Sequence, residues 1–513
     1  MDKRRLCSLL LVLGLLLVLL AGCGGDKKTE SPIDQGEPFA KVTDDKDFSS
    51  LRTPGSQEAA YTYRNFFLPA VDGISQPYVG DTMPYYEDGT YYIYYLKEGG
   101  DSYNHSIYLA TTRDFVSYTE YDAPIIESNR AGGQDGWIGT GSVVKVKDEY
   151  YFFYTGHASS SAYEYGETIM LAKGSEPTKF EKTDGFEIIP PSTLGQKRDF
   201  RDPQAYYDPE TDTITLTVTA SQGGVARILK YSLSGDLKNV SYDGIIFTNN
   251  VGNFWNLECS DTFRIGDKYY ITYSAQDDTL SYAVSDTRYG PYGDPVRLDA
   301  KLFYAAKHVE SPQGMYMVGW ARRSESPSST SDVSGWAGNL EVQKLVQLDN
   351  GELILSPVDA VANQYTKRRE LQLSADSLKL EAGARYTYTP AFTAYESFML
   401  KGRFTYTGKG DFGLAFDYNG QQGKYKFITL SPAKQNLQLQ FNEGDTLITE
   451  TAAQLEQGRE YSFTYIQEGS VGVFYIDGGA CLTARLYGVS GKAVSLYAEN
   501  NTVTFSSLRE YTR

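Results

Sequence analysis

Five short aromatic or β-branched segments recur at intervals of about 46 to 64 residues, and they predict an all-β fold: a five-bladed β-propeller followed by a C-terminal β-sandwich. Two further observations point the same way. Aromatic residues make up 14 % of the chain, with 43 Tyr against 6 Met, and Tyr suits strands. Beyond the N-terminal apolar run, long stretches of helical period are missing.

The N-terminus reads as an address. Lys3, Arg4 and Arg5 precede an apolar run from Leu9 to Leu20, too short for a spanning helix and suited to a signal peptide. The run closes on Leu20-Ala21-Gly22-Cys23, which resembles the bacterial lipoprotein cleavage box. That resemblance implies removal of residues 1–22, lipidation of Cys23 and a membrane-anchored protein at the cell surface. Residues 23–60 are polar and lack apolar period, as expected of a flexible tether.

Residues 61–358 carry the repeat. Its segments are Tyr91-Tyr92-Ile93-Tyr94-Tyr95, Tyr150-Tyr151-Phe152-Phe153-Tyr154, Ile214-Thr215-Leu216-Thr217-Val218, Tyr269-Tyr270-Ile271-Thr272-Tyr273 and Met315-Tyr316-Met317-Val318-Gly319. Each follows a turn signal such as Glu87-Asp88-Gly89 or Ile265-Gly266-Asp267, and each precedes another short strand. Strand, turn, strand, polar turn, strand is what a propeller blade needs; a sandwich with spaced turns is the alternative. A charged connection around Lys367, Arg368 and Arg369 follows, and then alternating strands with Gly-rich turns. Residues 359–513 therefore read as a β-sandwich, which either binds sugar or buttresses the propeller.

The formal net charge of −17 argues against nucleic acid as a partner and is compatible with a neutral carbohydrate. After processing, Cys259 and Cys481 are the remaining cysteines, in different predicted domains, so no disulfide is expected. The only histidines are His105, His157 and His308, no Cys/His spacing suits zinc, and no metal or cofactor is expected. Sequence leaves the oligomeric state open.

Three acids stand about 7 to 12 residues before repeat segments, at nearly one phase: Asp81, Asp202 and Glu258. In a propeller, equal phase brings them together near one axis. In Phe200-Arg201-Asp202-Pro203, Pro stiffens the strand and Arg201 favours an ionised Asp202, able to hold sugar hydroxyls and stabilise positive charge. In Asn256-Leu257-Glu258-Cys259, the preceding Phe254 and Trp255 suggest partly apolar surroundings for Glu258, suited to a general acid. In Val79-Gly80-Asp81-Thr82, Gly80 permits close backbone approach to a ligand. Trp137 and Trp255 are candidates to stack on a sugar, or else core residues. His308 reads as a structural histidine.

Asp, Arg-Asp-Pro and Glu-Cys in that order on blades one, three and four resemble glycoside hydrolase family 32, the invertases, inulinases and levanases. The likeness runs from about residue 61 onward. It implies a five-bladed propeller with a β-sandwich, with Asp81 as nucleophile, Asp202 as transition-state stabiliser and Glu258 as acid/base. Arg201 and Ser142, the latter in Gly139-Thr140-Gly141-Ser142, would bind substrate. Gly335-Trp336-Ala337-Gly338-Asn339, and Asp477-Gly478-Gly479 through Arg485-Leu486-Tyr487, are similar to later family segments. The implied activity is retaining hydrolysis of a terminal β-fructofuranoside.

The first block departs from the family. It has Gly80-Asp81-Thr82-Met83-Pro84 in place of Asn-Asp-Pro-Asn-Gly, Leu96 stands where Gln is expected, and Asn104-His105-Ser106 replaces Trp-Gly-His. The acids are kept while the sugar-binding neighbourhood is altered, so sucrose is not the assumed substrate. Two alternatives stand beside this reading: an inverting family 43 arabinanase or xylosidase, and a non-catalytic glycan-binding surface lipoprotein.

Overall fold

The segments that recur in sequence form the second strand of each of five antiparallel sheets. In the computed structural model, blade one comprises Tyr78–Glu87, Thr90–Glu98, Ile107–Thr112 and Tyr118–Glu120, with Ala59–Tyr61 added at its outer edge. Blade two comprises Trp137–Val146, Glu149–His157, Glu167–Glu176 and Lys179–Ile188. Blade three comprises Phe200–Asp208, Thr213–Gln222, Val225–Ser234 and Val240–Thr248. Blade four comprises Leu257–Ile265, Lys268–Ala275, Leu280–Ser285 and Val296–Arg297. Blade five comprises Phe303–Ser311, Gly314–Arg322, Gly338–Gln347 and Leu353–Ser356. The structure describes residues 59–61, 65–69, 78–98, 105–129, 132–322, 336–369, 371, 377–382, 387–393, 397–417, 424–441, 446–486, 489 and 492–513. All belong to one compact unit, Asp34–Arg513. The expected signal peptide, the tether and Cys23 lie outside the described residues.

The aromatic runs exist because each blade is covered on both faces. Along Thr90–Glu98, Tyr91, Ile93 and Tyr95 pack with Tyr304, Tyr316 and Val318 of blade five. The alternate residues Tyr94 and Leu96 pack with Val143, Tyr150 and Phe152 of blade two. A half-buried sheet would read apolar-polar; a sheet stacked between two others must be apolar on both faces. The turns before these strands use left-handed backbone at Asp88 and Gly89 (φ 48° and 79°), Lys147, Asp212 and Gly266, as tight hairpins require.

The innermost strands neighbour one another in the order one, two, three, four, five and back to one, which closes the ring. Blades one and five also share a sheet through Val79 opposite Gly338. A short helix, Asp359–Ala362, leads out of blade five.

The sandwich follows. One sheet contains Lys367–Arg369, Ser377–Leu380, Ser397–Tyr406, Tyr461–Glu468, Val471–Ile476, Cys481–Arg485 and Val503–Thr512. The other contains Thr387–Thr393, Phe412–Asp417, Tyr425–Ser431, Asn436–Phe441, Thr446–Ala452 and Ala493–Ala498. Leu400, Phe404, Leu414, Ile428, Phe463 and Phe474 fill the space between them. The sandwich is fastened to blades four and five. Val471, Val473 and Tyr475 share a core with Phe303 and Met317, and the Arg485 guanidinium donates to Arg322 O at 3.0 Å and to Asn339 Oδ1 at 3.0 Å. Among the described residues no helix is long and apolar enough to cross a membrane. Cys259 and Cys481 are free and buried.

Candidate active site

Each innermost strand has a β-bulge near its start. Register slips between Val79 and Thr82, Gly139 and Gly141, Arg201 and Gln204, Glu258 and Asp261, and Tyr304 and Lys307. Asp202, Cys259 and Ala305 occupy the same bulge position and share left-handed backbone, with φ of 56°, 52° and 52°. Matching the registers sets Glu258 level with Arg201 and Tyr304, Asp202 one step on, and Asp81 a further step on. The acids therefore share the bulge and not a single position in it. Three successive steps re-aim three carboxylates, which is the re-direction that bulges provide.

Neighbouring blades brace each acid. Asp81, on blade one, accepts from Thr140 Oγ1 of blade two at 2.8 Å and from Trp320 Nε1 of blade five at 3.2 Å. Glu258, on blade four, accepts from Arg201 of blade three at 2.9 Å and from the Tyr304 hydroxyl of blade five at 2.7 Å. Asp202 is buried and accepts the Cys259 N–H at 2.8 Å, while its own N–H donates to Thr155 Oγ1 at 2.9 Å. Thr140 Oγ1 also lies 3.5 Å from Cys259 Sγ. Blades two and four are not neighbours, so that contact spans the channel.

The three acids influence one another. Burial raises the Asp81 pKa, the Thr140 bond opposes it, and the Glu258 charge adds to the rise. Burial lifts Asp202 to about 6; the Arg201 charge opposes this, and the charges of Asp81 and Glu258 reinforce it. Burial also pushes the Cys259 thiol far up, so it is a neutral packing group and no nucleophile.

Several expectations need correction. The Arg201 charge favours an ionised Asp202, as expected, but burial outweighs it, and the guanidinium itself bonds Glu258 and reaches Glu167 at 3.4 Å and Asp199 at 3.3 Å. The surroundings of Glu258 are polar and charged, not apolar. Trp255, 43 % exposed, lies instead over Arg201, with 5.3 Å from guanidinium carbon to ring centroid. Ser142 is buried, and its Oγ accepts the Ala205 N–H at 2.9 Å, joining blades two and three; it is placed as a structural residue and not on the substrate surface. Trp137 is 47 % exposed, which makes it accessible to a ligand. His308 is structural, with Nδ1 2.6 Å from the buried carboxylate of Asp261.

Sequence reasoning passed over Thr140, Tyr304, Trp320 and Glu167. Tyr304 had one available signal: it opens blade five at the phase of Arg201 and Glu258. An aromatic arc was likewise unread. His105 stacks on Trp336 at 4.4 Å and meets Trp137 edge-on at 5.6 Å, Trp336 meets Trp320 at 6.3 Å, and Trp320 meets Tyr304 at 5.3 Å. The arc explains Gly80: a Cβ there would lie 2.1 Å from Cη2 of Trp336, so the indole fills the space of any side chain at this position.

A ring of five blades presenting three carboxylates, each with built hydrogen-bond partners, is the architecture of a propeller glycosidase. The family model described as "Glycosyl hydrolases family 32 N-terminal domain" matches residues 81–357, more than half of the chain. The chain belongs to glycoside hydrolase family 32, and it is a glycosidase. It is 24 % identical over 416 residues to a sucrose-6-phosphate hydrolase of Escherichia coli, covering 76 % of this chain and 82 % of the relative. It is 22 % identical to a sucrose-6-phosphate hydrolase of Staphylococcus xylosus, covering 74 % and 78 %. In fold it is similar to a β-fructofuranosidase of Bombyx mori, with TM-score 0.67 and 18 % identity over 93 % of this chain and 97 % of that one. It is also similar to fructan 1-exohydrolase IIa of Cichorium intybus, with TM-score 0.66 and 16 % identity over 86 % and 97 %. Membership in family 32 sets aside the family 43 alternative.

Proposed function

We propose that the protein is a retaining β-fructofuranosidase acting on the terminal fructosyl unit of a fructan or fructosyl oligosaccharide. The observation that carries this reading is the division of labour between two braced carboxyls. Asp81 is held by an uncharged hydroxyl and an indole N–H, which leaves it free to attack. Glu258 sits between a guanidinium and a phenol, which fix its orientation for proton transfer.

In the proposed cycle Glu258 protonates the glycosidic oxygen while an Asp81 oxygen bonds the anomeric carbon, breaking the bond to the leaving group. Glu258, now a carboxylate, takes a proton from water as the water oxygen displaces Asp81, and fructose leaves with retained configuration. Asp202 stabilises the positive charge that develops on the sugar ring. Arg201 orients Glu258, and the exposed rings of Trp137 and Trp255 offer surfaces for stacking on sugar.

The anchoring box at Cys23 supports a cell-surface location, where an extracellular fructan would be the accessible substrate. In a bacterial host, Cys23→Ser should shift the protein from the membrane fraction to the soluble extracytoplasmic fraction; unchanged membrane association would sink the lipid anchor. The activity is tested by a screen of sucrose, inulin, levan and aryl arabinosides with wild type and Asp81→Asn. Fructose release that Asp81→Asn abolishes is expected. Binding without turnover, unaffected by Asp81→Asn or Glu258→Gln, would instead favour a glycan-binding lipoprotein.

A further inference from the structure

Lys307 is a lysine sealed inside the propeller, 1 % exposed, on the innermost strand of blade five. Its ammonium donates to Gly141 O of blade two at 2.9 Å and to Gln204 Oε1 of blade three at 3.2 Å. Blade five neighbours only blades four and one, so both bonds cross the central channel. Burying an ammonium group is costly, and both acceptors here are uncharged. Among the described residues no carboxylate oxygen stands within ion-pair distance of it. Such a group needs a reason to be there, and its surroundings supply one.

Gly141 adjoins Thr140, whose hydroxyl holds Asp81. The Thr140 carbonyl in turn accepts from Thr155 Oγ1 at 2.9 Å, and the Thr155 hydroxyl oxygen accepts the backbone N–H of Asp202. Lys307 thus grips the carbonyl of the residue that follows Thr140, whose hydroxyl holds Asp81 and whose own carbonyl holds the Thr155 hydroxyl that receives the Asp202 backbone N–H. Its charge is also felt there. The Cys259 thiol experiences the charges of Asp81 and Asp202 together with the opposing charge of Lys307, and Lys307 helps to hold Asp261 ionised. The charged and titratable groups around the axis are Asp81 and His105 of blade one, Glu167 of blade two, Arg201 and Asp202 of blade three, Glu258, Cys259 and Asp261 of blade four, and Tyr304 and His308 of blade five. Lys307 adds a cation to this acid cluster beside Arg201.

We propose that Lys307 is a positioning residue: its ammonium group bridges the channel, fixes the Thr140–Gly141 bulge that holds Asp81, and offsets the negative charge of the acid cluster. The inference rests on Asp81 being the nucleophile of the proposed hydrolysis, but its test does not need turnover. Trp320 donates to Asp81, so the part of the pH-dependent tryptophan emission that Asp81→Asn removes reports the ionisation of Asp81.

Removing the positive charge makes Asp81 harder to ionise, so in Lys307→Gln the midpoint of that transition should rise by roughly half a unit or more. Lys307→Arg keeps the charge and should restore the midpoint. With a fructan as substrate, Lys307→Gln should lower kcat about tenfold with KM little changed, and move the acid limb of kcat/KM upward by the same interval. An unmoved midpoint in folded Lys307→Gln overturns the proposal, even in an enzyme that hydrolyses fructans normally. If neither Lys307→Gln nor Lys307→Met folds, Gln204→Leu removes one of the two acceptors that hold the ammonium group and leaves the Thr140 bond to Asp81 in place. A moved midpoint then supports the positioning role, and an unmoved midpoint overturns it. Absence of fructan turnover in wild type, with the emission midpoint still moved by Lys307→Gln, would defeat the proposed substrate and leave the positioning role intact.

Discussion

Asp202 shows most directly how burial and charge divide at this site. Its carboxyl is lifted to about 6 by burial, against the pull of Arg201. A group with a raised folded-state pKa favours the folded state most below its unfolded value, near 4. Stability is then lost as pH climbs from about 4 to about 6, because the folded chain must hold a buried anion. Asp202→Asn should therefore raise the melting temperature at pH 7, by roughly 2 to 4 °C, with no gain below about pH 4. The same substitution should reduce kcat by on the order of a hundredfold or more, since the amide cannot stabilise positive charge. Calorimetry across that pH range checks the first statement, and steady-state kinetics the second. Since Asp81 is raised as well, the acid limb of kcat/KM should lie above the usual carboxylate range, as one coupled titration of the cluster.

At the scale of the element, the bulge is what turns a strand into an active-site wall. The repeat segments were legible because stacked blades force apolar residues onto both faces of each second strand. The acids draw notice because they stand at a similar distance before those segments. The steps within the bulge were not, because one extra residue changes which face a side chain takes and nothing local marks where the slip falls. That is why Ser142 reads as a substrate ligand in sequence and serves as an inter-blade acceptor in the structure. The partners of Asp81 and Glu258 escaped for a different reason: Thr140, Trp320 and Tyr304 come from other blades, up to 239 residues away, and no local pattern marks them. The fit of Trp336 over Gly80 is non-local in the same way. Gly80→Ala should cost about tenfold in kcat/KM by pushing the indole off its seat, and Trp336→Ala in the same chain should recover part of the loss. Additive losses in the double-mutant cycle would show that the two residues do not share this space.

At the scale of the whole molecule, propeller and sandwich meet through a buried polar seam. The Thr483 hydroxyl lies 2.6 Å from Asp299 Oδ2 and 2.8 Å from Glu341 Oε1. A hydroxyl carries one proton, so one of these contacts must be closed by a proton on a carboxyl. Asp299 also accepts the N–H groups of Ala300 at 2.6 Å and Thr483 at 3.1 Å, whereas Glu341 Oε2 is buried without a partner. Glu341 is thus the neutral acid, in line with burial and the Asp299 charge raising its pKa far above the usual range. The folded chain binds a proton there that the unfolded chain releases above about pH 4, so the seam weakens as pH rises from that point. Glu341→Gln, which keeps the shape and a donor, should raise the melting temperature at pH 8 and leave it unchanged near pH 4. A loss of stability at pH 8 would place the proton elsewhere.

Across these scales, the proposed mechanism turns on one chemical event: attack by Asp81 on the anomeric carbon, with Glu258 as the proton donor. The most direct measurement is capture of the fructosyl group by methanol during fructan hydrolysis, with the configuration of the methyl fructoside read by NMR. Two displacements predict methyl β-fructofuranoside, formed by wild type and reduced on the order of a thousandfold or more by Asp81→Asn and by Glu258→Gln. A product of inverted configuration, or undiminished turnover in Asp81→Asn, would contradict the assignment.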